Sequence, residues 1–181
     1  SCAGLLLEKE VNSLNKALTS VKSPFTAIIA GSKISTKLEL IAHLNSKADF
    51  IIVGGGIANT FLKSQGFNVG ESLVENDMIE IAEELFNSSK IILPNKVIVA
   101  DSIDSNYSTI KNIDSVSSSD KIFDINLSSN MSEILKSSKT ILWNGPIGVF
   151  EKEPFQKGTH QLAKTIAGSD AFSLAGGGET I

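Results

Sequence analysis

Residues 143–155 read Trp143-Asn144-Gly145-Pro146-Ile147-Gly148-Val149-Phe150-Glu151-Lys152-Glu153-Pro154-Phe155. An apolar run, Thr140-Ile141-Leu142-Trp143, leads into this stretch and predicts a short buried strand. A turn with two glycines and a proline follows at once. Three other segments share the design: Ala27-Ile28-Ile29-Ala30-Gly31-Ser32-Lys33, Phe50-Ile51-Ile52-Val53-Gly54-Gly55-Gly56 and Phe172-Ser173-Leu174-Ala175-Gly176-Gly177-Gly178. Apolar strands that open into glycine-bearing loops place a ligand cleft at the carboxyl ends of an α/β sheet.

The intervening chain supplies the helices. Leu6, Leu7, Val11, Leu14 and Leu18 recur at helical spacing and predict a helix over 4–20. Further helices are expected from Ile34, over 57–64 with Gly66 after its end, over 78–86, over 131–137, and over 154–167 with Gly168 as its C-cap. Residues 91–93 and 97–100 read as short strands, and 121–127 as another. Residues 101–120, rich in Ser, Asp and Asn, read as irregular surface chain with at most short edge pairing. Alternating strands and helices predict a parallel sheet flanked by helices on both faces, a Rossmann-like three-layer sandwich in one domain. The sequence stops at Glu179-Thr180-Ile181, where another helix should begin, so the domain is expected to be incomplete at its C-terminus.

The 181 residues, 41% hydrophobic and 20% charged, are enough for an ordinary core. A net charge of −4 argues against a general nucleic-acid surface, although a local anion site remains compatible with it. All 16 basic residues are lysines, so no guanidinium fork is present. Cys2 is the only cysteine, which rules out an internal disulfide and a cysteine zinc site. No apolar run approaches the length of a membrane span, and the first residues lack a signal-peptide pattern.

Lys33 and Lys37 lie four apart at a predicted helix start, where two ammonium groups and free amides suit a polyphosphate; a pair of solvated lysines is the alternative. The Walker pattern is absent. Gly54-Gly55-Gly56 strips side chains from a strand-to-helix corner, so that a flat ring can approach the backbone. It half-matches a dinucleotide fingerprint, with Asn59 at the third small-residue position and Glu75 and Asp77 placed as ribose-binding acids would be; a tight βα turn is the alternative. Gly176-Gly177-Gly178-Glu179-Thr180 offers amides to a phosphate, a carboxylate to Mg2+ and a hydroxyl to a phosphate oxygen. Glu151 and Glu153 alternate on an extended segment, where one can accept from a ribose hydroxyl or both can form a solvated rim. His43 and His160 have no visible partner, and the Gly-x-Ser-x-Gly motif of a hydrolase is absent.

In order along nearly the whole chain, these segments resemble the C-terminal, nucleotide-binding half of the phosphoglycerate kinase family. The matching stretches are Ala3-Gly4-Leu5-Leu6-Leu7-Glu8-Lys9-Glu10, Gly31-Ser32-Lys33-Ile34-Ser35-Thr36-Lys37, Gly54 to Leu62, Trp143-Asn144-Gly145-Pro146 and Gly176-Gly177-Gly178-Glu179-Thr180. The resemblance implies that Lys33 and Lys37 contact nucleotide phosphates, and that Lys37 and Gly178 stand at the transferred group. Gly31, Ser32, Gly55 and Gly56 would line the adenine and ribose side, with Phe123 on the adenine pocket strand. Asn144, Pro146 and Val149 would bound the nucleotide, and Glu151 would bind ribose. Gly176, Gly177, Gly178, Glu179 and Thr180 would sit at the phosphates, with Glu179 on Mg2+. The implied reaction moves phosphate between 1,3-bisphosphoglycerate and ADP, giving 3-phosphoglycerate and ATP. It belongs to a monomeric cytoplasmic enzyme of glycolysis, whose N-terminal substrate domain is absent from this sequence. The sequence departs from the family pattern in having Glu179 where aspartate is usual, and Ile122 and Asn126 where glycines flank the pocket strand. A non-catalytic nucleotide-binding module and a nicotinamide-dependent oxidoreductase are the competing readings.

Overall fold

The computed structural model describes residues 21–87 and 90–177. The helix expected over 4–20 lies outside them, as do Gly178, Glu179 and Thr180. In chain order the elements are β1 (Phe25–Ala30), α1 (Leu38–Asn45), β2 (Phe50–Gly54), α2 (Gly55–Ser64), α3 (Ile79–Asn87), β3 (Ile91–Ile92), β4 (Lys96–Ala100), β5 (Thr109–Asn112), β6 (Lys121–Ile125), α4 (Ser129–Ser137), β7 (Thr140–Asn144), α5 (Lys157–Ala167) and β8 (Phe172–Gly176).

Five strands form a parallel sheet in the order β3-β2-β1-β7-β8. β1 is buried along its whole length, as the central strand of a sheet covered on both faces must be. Its side chains alternate between two cores. Phe25, Ala27 and Ile29 join Ile41 and Leu44 of α1, Ile57 and Phe61 of α2 and Ala82 of α3. Ile28 and Ala30 face the other way, towards Met131 and Leu135 of α4 and Leu162 and Ile166 of α5. The period-2 alternation of one strand thus feeds two layers, and the three-layer α/β architecture follows.

The sheet is not the whole story. β5-β4-β6 form a second, antiparallel sheet, so the expectation of purely parallel pairing fails for residues 96–125. Its inward residues, Val97, Val99, Ile122 and Ile125, join the same core as α4 and α5. β5 falls in the polar stretch read as irregular; its residues are mostly exposed, so it lacks the apolar alternation that marks a strand in sequence.

Helix ends also shift. α1 begins at Leu38 rather than Ile34: residues 35–37 form a turn in which the Lys37 amide donates to Ile34 O at 2.9 Å, while the Ser35 amide is held by the Glu75 carboxylate at 2.9 Å. Pro154 sits in a separate 3-10 turn, Glu153–Phe155, and α5 starts three residues later. Gly66 follows α2 with φ +82, as expected of a helix-ending glycine, whereas Gly168 caps α5 without a left-handed turn.

Candidate functional site

The strand order places the reversal of winding between β1 and β7: the chain moves outward from β1 through β2 to β3, then returns on the other side of β1. Ligand crevices in open α/β sheets form outside the carboxyl ends at such a point. Here Lys37, after β1, donates its Nζ to Asn144 Oδ1 at the end of β7. Asn144 pairs in register with Ile29 of β1 and with Gly176 of β8. A Cβ built on Gly176 would stand 4.0 Å from Asn144 Nδ2. One lysine, one amide and one glycine therefore meet at three strand ends. Lys33 stays exposed in the preceding loop, so the two lysines do not share a helix face.

Beside this corner opens a cleft of about 460 Å³. Gly31, Ser32, Gly55 and Gly56 form one side. The Gly55 amide donates to Ile147 O at 3.0 Å and the Ile57 amide to Gly31 O at 3.1 Å, which pins the start of α2 between its neighbouring loops. Gly55 takes φ +63, and a Cβ on it would lie 2.7 Å from Gly31 O, so the corner closes only with glycine there. Phe123, Pro146 and Val149 form the opposite side, with exposed Glu151 at the rim. Phe123 leans on the fully buried Phe155, ring centroids 4.7 Å apart, and its carbonyl accepts from the Val149 amide at 2.8 Å. Leu73 and Ile103, 56% and 42% exposed, give the mouth an apolar edge.

Of the residues singled out from sequence, Gly31, Ser32, Gly55, Gly56, Phe123, Pro146, Val149 and Glu151 border the cleft. Lys37, Asn144 and Gly176 gather next to it, and Gly177 continues from Gly176 with φ +103. Glu153 starts the 3-10 turn, so it does not share the cleft with Glu151. The described residues include no group of three potential metal-ligating side chains, and Glu179 lies outside them.

Sequence reading missed three features. Glu75 does not stand free for a ribose: its carboxylate accepts from the Ser35 amide at 2.9 Å and the Ser35 hydroxyl at 2.5 Å. Its own amide donates to Thr60 Oγ1 at 3.2 Å, and Thr60 in turn donates to Gly56 O at 2.9 Å. Burial pushes the Glu75 carboxyl up, but the Ser35 bonds and the Lys33 charge outweigh it and hold the group below its ordinary value. Glu75 thus ties the lysine loop to α2.

The second feature is Asp124, 1% exposed, whose carboxylate accepts from the Gly158 amide at 2.7 Å and from the Ile125 amide at 2.9 Å. It caps α5 from a distant strand. A Cβ on Gly148 would approach Asp124 Oδ1 to 2.1 Å, so the loop after β7 rests directly on this carboxyl. Burial pushes its pKa up to about 7, against the two amides that favour the anion. The third is the apolar edge made by Leu73 and Ile103; Ile103 is an isolated apolar residue in a polar stretch and carries no periodic signal.

A family model for phosphoglycerate kinase matches residues 1–181. The phosphoglycerate kinase of Baumannia cicadellinicola is 50% identical over 182 residues, covering 99% of this chain and 47% of that protein. That of Coxiella burnetii is 46% identical over 189 residues, covering 100% of this chain and 48% of that protein. The solved structure of the Coxiella burnetii enzyme superposes with a TM-score of 0.85 at 45% identity, over 96% of this chain and 47% of the other. That of the enzyme from Pyrococcus horikoshii OT3 gives 0.78 at 31% identity, over 98% and 47%. The chain therefore spans about half the length of the relatives it matches. Matched by the family model along its whole length and by solved structures over nearly all of its fold, the chain belongs to the phosphoglycerate kinase family.

Proposed function

We propose that this chain provides the MgADP/MgATP site of a phosphoglycerate kinase and that the substrate half is contributed by a separate N-terminal domain. The observation that carries this reading is the contact of Lys37 with Asn144 beside Gly176, at the winding reversal and next to a cleft with a glycine side and an apolar side. The cleft takes the adenine and ribose: the ring lies against Gly55 and Gly56 with Phe123 and Val149 opposite, and Glu151 accepts from the ribose hydroxyls. The phosphates run towards Lys37, with Lys33 in reach from the loop and the amides of Gly176, Gly177 and Gly178 as donors.

In the forward reaction a β-phosphate oxygen of ADP attacks the acyl phosphate of 1,3-bisphosphoglycerate. The bond from phosphorus to the acyl oxygen breaks and 3-phosphoglycerate leaves as a carboxylate. Catalysis rests on alignment and charge neutralisation rather than on covalent chemistry by the protein. Lys37 and the Gly178 amide balance charge on the moving phosphoryl group. Glu179 would hold Mg2+, and the ion would supply further neutralisation of that charge. Thr180 donates to a phosphate oxygen. The chain carries no arginine, so any guanidinium clamp on the transferred group comes from the other domain. Alignment alone can be worth ~7–11 kcal/mol, so the 181 residues by themselves are expected to bind nucleotide without making ATP.

In the described residues no helix is long and apolar enough to cross a membrane. The reading assigns the parent enzyme to glycolysis in the cytoplasm, as a monomer. Calorimetric titration with MgADP, paired with an ATP-formation assay on 1,3-bisphosphoglycerate, tests it. Saturable MgADP binding without turnover is expected. No MgADP binding, or NADH binding in its place, would refute it.

A further inference from the structure

We infer that α4 and α5 carry a further anion site, a cationic hollow that takes a chain of linked phosphates. It shares no lining residue with the nucleotide cleft and does not depend on the nucleotide reading. The hollow, about 500 Å³, is lined by Lys157, His160, Gln161, Lys164 and Thr165 of α5 and by Lys136 of α4. The five α5 residues recur at helical spacing, so they share one face. The opposite face, with Leu162 and Ile166, is buried in the core that α4 also joins. The fold thus turns the cationic stripe of α5 outward and brings Lys136, in the last turn of α4, up beside it. Lys136, Lys157, His160 and Lys164 are all exposed.

The charge here is uncompensated. No carboxylate lines the hollow. Elsewhere Lys111, Lys121 and Lys152 are paired with Asp120, Glu71 and Asp104. The side chains of Lys136, Lys157, His160 and Lys164 have neither a hydrogen bond nor an ion pair among the described residues. Three ammonium groups and an imidazole gathered without an acid, on a chain with a net charge of −4, make a local positive field. Like charges repel, and one multivalent anion relieves several such repulsions at once. The spread of the charges names the ligand. Lys157 and Lys164 are about 10.5 Å apart along the helix axis, with His160 between them. Donors distributed over that length suit linked phosphates better than one phosphate group. Each ammonium offers its donors to phosphate oxygens as a point charge. No Phe, Tyr or Trp borders the hollow, so no base is stacked there. The phosphate chain is therefore what is recognised, whether free or as the tail of a nucleotide.

His43 and His160 are the two histidines of the chain, so NMR can follow their ring signals separately. The test titrates the 181-residue chain with inorganic triphosphate and, in parallel, with inorganic phosphate and with ATP. It is run on the wild type and on the double variant Lys157→Gln/Lys164→Gln, with a thermal melt to confirm that the variant is folded. Triphosphate is expected to shift the His160 signal saturably and to leave His43 in place. Half-saturation is expected at a concentration about tenfold below that for phosphate, and the double variant is expected to need about tenfold more triphosphate. A saturable His160 shift with ATP as well identifies a nucleotide tail as a source, and a shift with triphosphate alone identifies the free chain; both agree with the inference. A wild-type His160 signal that does not saturate with triphosphate, or that saturates equally with phosphate, overturns it whether or not the variant folds. A shift with ATP alone, or an unchanged triphosphate affinity in the folded double variant, overturns it too.

Discussion

On the parallel-sheet side the cleft is lined by Gly31, Ser32, Gly55 and Gly56, mostly backbone held by backbone. On the antiparallel side it is lined by Phe123, Pro146 and Val149, side chains propped from behind by Phe155 and by the carboxyl of Asp124. The first wall answers to glycine geometry and is indifferent to pH. The second hangs on a buried titratable group and on packing. On the proposed function, a nucleotide would present both kinds of surface, an anionic tail and an apolar ring, and the two walls would divide that work.

The largest effect expected from this contrast is one of pH. Burial pushes the Asp124 carboxyl up from its ordinary 3.8 to about 7. Between those values the native state binds the extra proton, so stability is full below about pH 4 for this group and is lost as pH rises through 7. The full loss amounts to ~4 kcal/mol, of which ~3 kcal/mol falls between pH 5 and pH 8. Asp49, Glu75 and Asp120 are shifted the other way and contribute above their unfolded values, so they add no slope above about pH 5. Urea unfolding should show a chain less stable at pH 8 than at pH 5, and Asp124→Asn should flatten the profile. A flat wild-type profile would break the distinction between the walls.

A glycine substitution probes the other wall. A Cβ on Gly56 would lie 2.2 Å from Ser32 O, whereas one on Gly176 meets nothing nearer than 4.0 Å. Gly56→Ala should cost ~3 kcal/mol in urea unfolding and Gly176→Ala much less. Equal losses would show that the corner gives way. Next in size, Lys37→Met should weaken MgADP by ~30-fold, as loss of a charged hydrogen bond does, while leaving adenosine binding unchanged. The smallest effect belongs to Glu75→Gln. It disturbs the bonds to Ser35 and should weaken MgADP by about fivefold through the lysine loop, again sparing adenosine. Equal weakening of adenosine would mean that Glu75 serves the base wall instead.

The same division governs what the amino-acid order disclosed. The corner where Lys37, Asn144 and Gly176 meet was legible because its signals are local: apolar runs that lead into glycines, with Asn144 at the end of β7 and Lys37 in the loop after β1. The glycine wall was legible for the same reason. The opposite wall was legible only in part: Phe123, Pro146 and Val149 were named, but the antiparallel sheet behind Phe123 was not, since β5 lacks alternation, and Ile103 is a lone apolar residue. Glu75 looked like a ribose ligand at its distance from the glycines; only the fold shows that Ser35 has claimed it. The capping role of Asp124 was not legible, because a single acid in a strand says nothing of the amide of Gly158, 34 residues away. Contacts made through the third dimension by single polar side chains leave no periodic trace.

The measurement that tests the central claim most directly is a crystal structure of the chain with MgADP. The account predicts the adenine between Gly55–Gly56 and Phe123–Val149, with a phosphate oxygen within hydrogen-bond distance of Lys37 Nζ. Phosphates bound away from the ends of β1, β7 and β8, or an adenine outside this cleft, would contradict it.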